Sequence, residues 1–322
     1  MKTMVRIFVA IVLLATGTVL EAQQQKKVWR LGVFHVGLDH VPGSLQRLKE
    51  GLAARGYEEG KNIILDWRNL PDDEAAHKTA EEFVRNKVDL IVAFENQTIR
   101  AAKAVVSQIP VVFLHATDPV ADGYVEPRAA GRKHDWICRF ERTPGQANRT
   151  LQGNCAWTAS LTCASRPEDP VTGRLLSEVR KVTSMVKMQV VEHKASDAPD
   201  IERILGSVKA GDGDGVFILS PNLQQKFTAL TLRLATERHL PMVVHAPQWV
   251  EKGGLFAYGH DPFSVGRDAA GYIDRILKGA KPADLPIEQP RTFIFAVNLK
   301  TAKQIGLVIP PNVLARADRV IR

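Results

Sequence analysis

The chain has 322 residues, 45% hydrophobic and 24% charged, a balance that excludes a membrane bundle or a disordered tail and leaves room for two domains. A Lys+Arg count of 43 against 35 Asp+Glu gives +8, but the basic residues are scattered and no aromatic nucleic-acid signature accompanies them, so no nucleic-acid partner is expected. Cys138, Cys155 and Cys163 have neither CxxC spacing nor an even count, which excludes the usual zinc sites and disulfide frameworks.

In chain order, Lys2 and Arg6 precede an apolar run at 7–15, and Ala22 offers a small residue before Gln23. That order predicts a secretory signal peptide over 1–22. The run falls short of the roughly 20 apolar residues of a spanning helix and gives way to the polar stretch 23–27, so the mature chain is expected in the periplasm.

From Val28, short β-branched runs alternate with amphipathic segments, the pattern of a parallel sheet with crossover helices. Strands are predicted at 28–36, 62–68, 88–94 and 110–116. Leu45, Leu48 and Leu52 have helical spacing ahead of a stop at Gly56, and 73–87 and 97–108 have the composition of helices. This is one doubly wound lobe. The rhythm resumes after 170 with helices at 170–182, 198–209 and 222–239 and strands at 187–193, 214–220 and 241–246, a second lobe of the same α/β type. A strand at 255–261, a helix over 262–278 and the segment 292–321 then remain. So long a tail predicts that the chain crosses back between the lobes, and several crossings make a hinge.

Chemical motifs are few. G-x-G-x-x-G after the first strand, Walker A and G-x-S-x-G are all absent, which removes the usual nucleotide and hydrolase signatures of such folds. The run 211–215 (GDGDG) lacks the later carboxylates of a calcium loop and reads as a tight turn. His35 and His40 straddle a loop with no third ligand nearby in sequence, so no metal site is predicted. Tyr258 reads equally as core packing or as a platform for a ligand. The loops that start helices at strand ends are more informative: 37–44, 95–98, 117–120 and 220–222. In open α/β sheets, ligands bind at the carboxyl ends of strands, where helix N-termini present free amides.

The segments GLAARGYEEGKNI, VDLIVAFEN, IPVVFLHATDPVADG, LPMVV, GGLFAYGHD, ILKGAKPADLPIEQP and VNLKTAKQIGLVIPPNVLARAD together resemble the ABC-transporter substrate-binding proteins related to the tryptophan/tyrosine-binding group. The resemblance covers nearly all of 28–125 and 167–322. It implies a type 1 periplasmic-binding-protein fold: an N-terminal lobe of 28–120 and 256–285, and a C-terminal lobe of 121–255 and 286–322. It also implies a monomer, without cofactor or catalysis, that closes on a small solute, an amino acid or related metabolite, and delivers it to an ABC permease and ATPase. Solute contacts would fall on Ser44, Asn96, Thr117 and Asp118 of the first lobe, with Asn222, Tyr258 and Asp261 from the second lobe and hinge. Helix amides and Asn96 would take an acceptor group, Asp118 or Asp261 an ammonium, and Tyr258 an apolar portion. Asn96 stands where the family often has Thr, and Glu95 where it often has Gly. A solute sensor for a membrane kinase, or an enzyme on the same fold, is the alternative reading.

The stretch 126–165 departs from both flanks. Ile137, Leu151 and Leu161 are its only members of the set Ile, Leu, Val and Met, and it holds all three cysteines. Permitted codons read one base later give a string with the family's PGGN-TG turn, an amphipathic helix and a strand. This stretch is therefore expected to be translated from a shifted frame, leaving the second lobe without its first strand.

Overall fold

The computed structural model describes residues 27–37, 41–116, 119, 122–124, 136–140, 160–166, 170–185, 187–208, 214–286, 288 and 293–322. The first sheet holds β1 (Trp29–Val36), β2 (Ile63–Leu70), β3 (Leu90–Phe94), β4 (Val111–Ala116) and β5 (Trp136–Phe140), in the order β2-β1-β3-β4-β5, with every pair parallel. Side chains alternate across a strand, so β1 feeds two cores: Phe34 and Val36 on one face, Leu31 and Val33 on the other. Helices α2 (Asp73–Arg85) and α3 (Glu95–Val105) cover the first core through Ala76, Ala80, Phe83, Ile99 and Ala102. Helix α1 (Gly43–Ala53) covers the second with the predicted triad Leu45, Leu48 and Leu52. Asp72 caps α2 by accepting the Ala75 N–H at 2.8 Å. Gly32 lets α2 sit close, since a Cβ there would lie 2.6 Å from the Phe83 ring.

The second sheet runs β12-β11-β10-β9-β8-β6-β7. Its strands are β6 (Ser160–Ser165), β7 (Gln189–Lys194), β8 (Asp214–Ile218), β9 (Met242–Val244), β10 (Phe256–His260), β11 (Phe293–Asn298) and β12 (Arg319–Ile321), and the β10–β11 pair is antiparallel while the others are parallel. Helices α4 (Pro170–Met185), α5 (Ala198–Ser207) and α6 (Pro221–Glu237) follow β6, β7 and β8, with the short α7 (Pro247–Glu251) after β9. Helix α8 (Pro262–Leu277) leaves this sheet and packs on α1 of the first lobe, burying Val265, Ala269 and Ile273. The chain thus passes between the sheets after β5, after β10 and before β11.

Three expectations change. β5 joins the first sheet through parallel pairing with β4, although 121–255 was expected in the other lobe. β10 joins the second sheet, between β9 and β11, although 256–285 was expected in the first. The crossing comes only at Asp261, because Leu255 and Ala257 are fully buried in the second lobe's cores and the apolar stripe that matches α1 starts at Val265. The second lobe also has its first strand. Residues 160–165 form β6 between β7 and β8, with Cys163 and Ala164 buried. Small side chains let a segment poor in aliphatics fill a central strand, where backbone pairing on both sides holds it.

Candidate functional site

The carboxyl ends of the strands in the two sheets meet at a cleft, and the local backbone there is strained. Glu95 at the end of β3 has φ 60° and His115 in β4 has φ 58°. For a residue with a side chain this left-handed region costs about 1–2 kcal/mol, which surrounding structure must offset. At Glu95 the strain turns the strand directly into α3 without a loop. The first turn is tied back by the Thr98 hydroxyl, which donates to the Phe94 carbonyl. The amides of the first turn lack helical acceptors, as in any helix, and lie at the cleft end.

The cleft encloses about 280 Å³. The first lobe contributes Val36 at the end of β1, Gly37 after it, the turn from Pro71 to Glu74, and Gln97 of α3. The second lobe contributes Arg166 after β6, Ser196 after β7, and Leu223 and Lys226 of α6. The acidic residues on the first wall already have partners. Asp72 caps α2, Asp73 pairs with Arg100 at 3.2 Å, and Glu74 pairs with Lys78 at 2.6 Å. Gln97 is buried at 6% exposure, and its Oε1 accepts no hydrogen bond.

An aromatic column links the lobes. The buried His35 ring stacks on Phe94 at 3.8 Å, and its Nδ1 accepts the Trp67 indole N–H at 3.0 Å. His115 lies 6.0 Å from Phe94 and 5.0 Å from His260 at the end of β10, which carries the column into the second sheet. Burial first, and the nearby His115 second, hold the His35 imidazole well below its usual range, so it stays neutral. A second link is the ion pair of Asp122, in the segment after β4, with Arg174 of α4. Beside it Tyr124 is buried, its hydroxyl donating to the Asn96 carbonyl at 3.3 Å, and burial pushes its phenol up to about 12.

The residues singled out in the sequence fall at several places in the described structure. Ser44 is buried where α1 meets α8, its carbonyl against Gly266. Asn96 is half-buried and adjoins Gln97, but Gln97 lines the cleft. Thr117 and Asp118 lie outside the described residues. Asn222 sits in the first turn of α6, next to Leu223 in the cleft wall. Tyr258, partly buried, stacks on Phe293 at 5.6 Å against the second lobe's outer core. Asp261 follows β10, where its carbonyl accepts from Ser264. His35 spends one ring nitrogen on Trp67, His40 lies outside the described residues, and no cluster of three metal-ligating side chains occurs among the described residues. Gln97, Arg166 and Lys226 were missed. Gln97 stands one place past the chosen Asn96, Lys226 one helical turn past Asn222, and Arg166 directly after the strand hidden in 126–165.

A sequence model of ABC transporter substrate binding proteins matches residues 33–130 and 162–321. The chain belongs to this family. Its members bind small solutes and work with ABC transporter components, typically outside the cytoplasm, and are not enzymes. The tyrosine-binding protein of Clostridioides difficile is 23% identical over 282 residues, spanning 82% of this chain and 78% of that one. A conserved domain protein from Vibrio cholerae superposes with a TM-score of 0.81 at 24% identity, covering 91% of this chain and 100% of its own. The ABC domain of Streptococcus pneumoniae in complex with L-Trp gives 0.80 at 20% identity, with coverages of 92% and 100%. The fold is that of type 1 periplasmic binding proteins. No helix among the described residues is long and apolar enough to cross a membrane.

Proposed function

We propose that this chain is the exported, periplasmic solute-binding component of an ABC importer, acting as a monomer that closes on a small solute and hands it to a permease and its ATPase. The observation that carries this reading is the cleft of about 280 Å³ whose walls come from both lobes. That volume lies just below the roughly 300–1,000 Å³ of small-molecule sites, which suits a solute of amino-acid size. Crossings on either side of α8 supply the hinge. The tyrosine named for one relative and the L-Trp bound to another make these two amino acids the first solutes to try. In this reading Thr117, Asp118, Asn96 and Asn222 contact the solute.

A thermal-shift screen of amino acids and related metabolites on the purified mature chain tests it. Asp118→Ala and Asn222→Ala should each weaken the best solute about ten-fold, since removing one partner of a desolvated polar contact costs roughly 1–3 kcal/mol. A blank screen would sink the reading. Unchanged affinity in both variants would sink the site assignment. Mass spectrometry of the exported chain should begin near Gln23. The shifted-frame reading of 126–165 is supported by the family match, which leaves 131–161 unmatched while both flanks fit. Compensating insertion and deletion near codons 126 and 166, relative to close relatives, would establish it.

A further inference from the structure

The cleft holds two polar groups that have no hydrogen-bond or ion-pair partner among the described residues. The amide oxygen of Gln97 is buried at the start of α3 and accepts no hydrogen bond. A buried acceptor left unmade is costly, so its presence at the wall of a cavity calls for a donor from outside the chain. Opposite it, Lys226 on the second wall lies 5.5 Å over the Phe227 ring but pairs with no carboxylate among the described residues. The acids across the cleft cannot neutralise it without giving up a cap or an ion pair, since Asp72, Asp73 and Glu74 are all engaged within their own lobe. The uncompensated character of the cleft is therefore an acceptor on one lobe and a cation on the other.

We propose that Gln97 and Lys226 are the specificity-determining residues of the cleft, and that together they select a small carboxylate bearing a hydroxyl or ammonium donor. This rests on the solute-binding reading above. The carboxylate meets Lys226 on the second lobe while the donor meets Gln97 Oε1 on the first. A solute with both groups bridges the walls and stabilises closure, whereas one with either alone satisfies a single lobe.

The test uses the purified mature chain and calorimetric titration with two matched frames. One is alanine, lactate, propionate and ethylamine; the other is phenylalanine, 3-phenyllactate, 3-phenylpropionate and phenethylamine. Wild type should bind the amino or hydroxy acid of one frame at least about ten-fold more tightly than the plain acid or the amine. Gln97→Leu should erase the preference over the plain acid and raise the melting temperature without solute, because it removes an unpaired buried acceptor. Lys226→Gln should erase the preference over the amine and keep the other. If Gln97→Leu discriminates as wild type does, or if wild type prefers the plain acid or amine, the proposal falls while solute binding stands. If wild type binds no member of either frame, the proposal also falls, and solute binding falls with it only if the wider screen is blank.

Discussion

The contact of α1 with α8 is set by a glycine, and enlarging that residue gives a prediction with a sign that simple helix propensity would reverse. A Cβ at Gly266 would stand 2.0 Å from the Ser44 carbonyl oxygen and 3.0 Å from the Leu48 amide nitrogen. Both neighbours are backbone, so neither can rotate away. Gly266→Ala must therefore part the helices by about 1 Å or more, and gaps of that size forfeit roughly a quarter to half of each dispersion contact. The seam holds Leu45, Leu48, Leu52, Val265, Ala269 and Ile273, all within one core. Overpacking costs about 1–3 kcal/mol, and a 2.0 Å approach to backbone belongs at the upper end; about 1 kcal/mol of helix propensity gained from alanine offsets part of it, leaving a net loss of up to roughly 2 kcal/mol. Gly173 in α4 is the control, because nothing lies within 4 Å of a Cβ there. Gly173→Ala should stabilise by about 1 kcal/mol. Urea unfolding followed by circular dichroism should place the two variants on opposite sides of wild type. A Gly266→Ala protein at least as stable as wild type would refute the close backbone approach.

At Glu95, where φ is 60°, Glu95→Gly should be at least about 1 kcal/mol more stable than Glu95→Val, since a β-branched residue resists the left-handed region most; equal urea midpoints would contradict the strained strand-to-helix turn. His35 is held neutral when folded, whereas the unfolded chain takes up a proton near 6.5. Stability is therefore full above that pH and falls as pH drops below it, by up to about 1.4 kcal/mol per unit until the folded pKa is reached. His35→Asn keeps an acceptor for Trp67 without titrating, so its stability should vary less between pH 7 and 5; an unchanged slope would show that His35 is not the group. Burial first, and Glu192 second, push the Cys163 thiol up to about 12. In a Cys138→Ser/Cys155→Ser protein it should react with a thiol reagent only on unfolding, and rapid reaction of the native chain would place it at the surface.

Much of the architecture was legible before any coordinate because it is written in local periodicity. The alternation that makes β1 face two cores, the Leu45, Leu48 and Leu52 stripe of α1, and the apolar runs of β3 and β4 depend on residues close in sequence, and they stand within a few positions of where they were expected. β6 was invisible for the same reason. Ser160 to Ser165 carries almost no aliphatic signal, and its place between β7 and β8 comes from pairing partners nearly thirty and more than fifty positions away. The lobe membership of β5 and β10 likewise follows from which strand each pairs with, a choice that a short apolar run leaves open. The site shows the same division. Sequence located the strand ends at which a cleft forms, but that Gln97, one place past the chosen Asn96, lines it follows from the left-handed Glu95, which starts α3 at once and fixes the helical phase. Tyr258 packs against the outer core because β10 is bounded by β11, whose Phe293 it stacks upon. The cleft brings positions 36 to 97 against positions 166 to 226, and only the crossing of the chain between lobes sets which of them face one another.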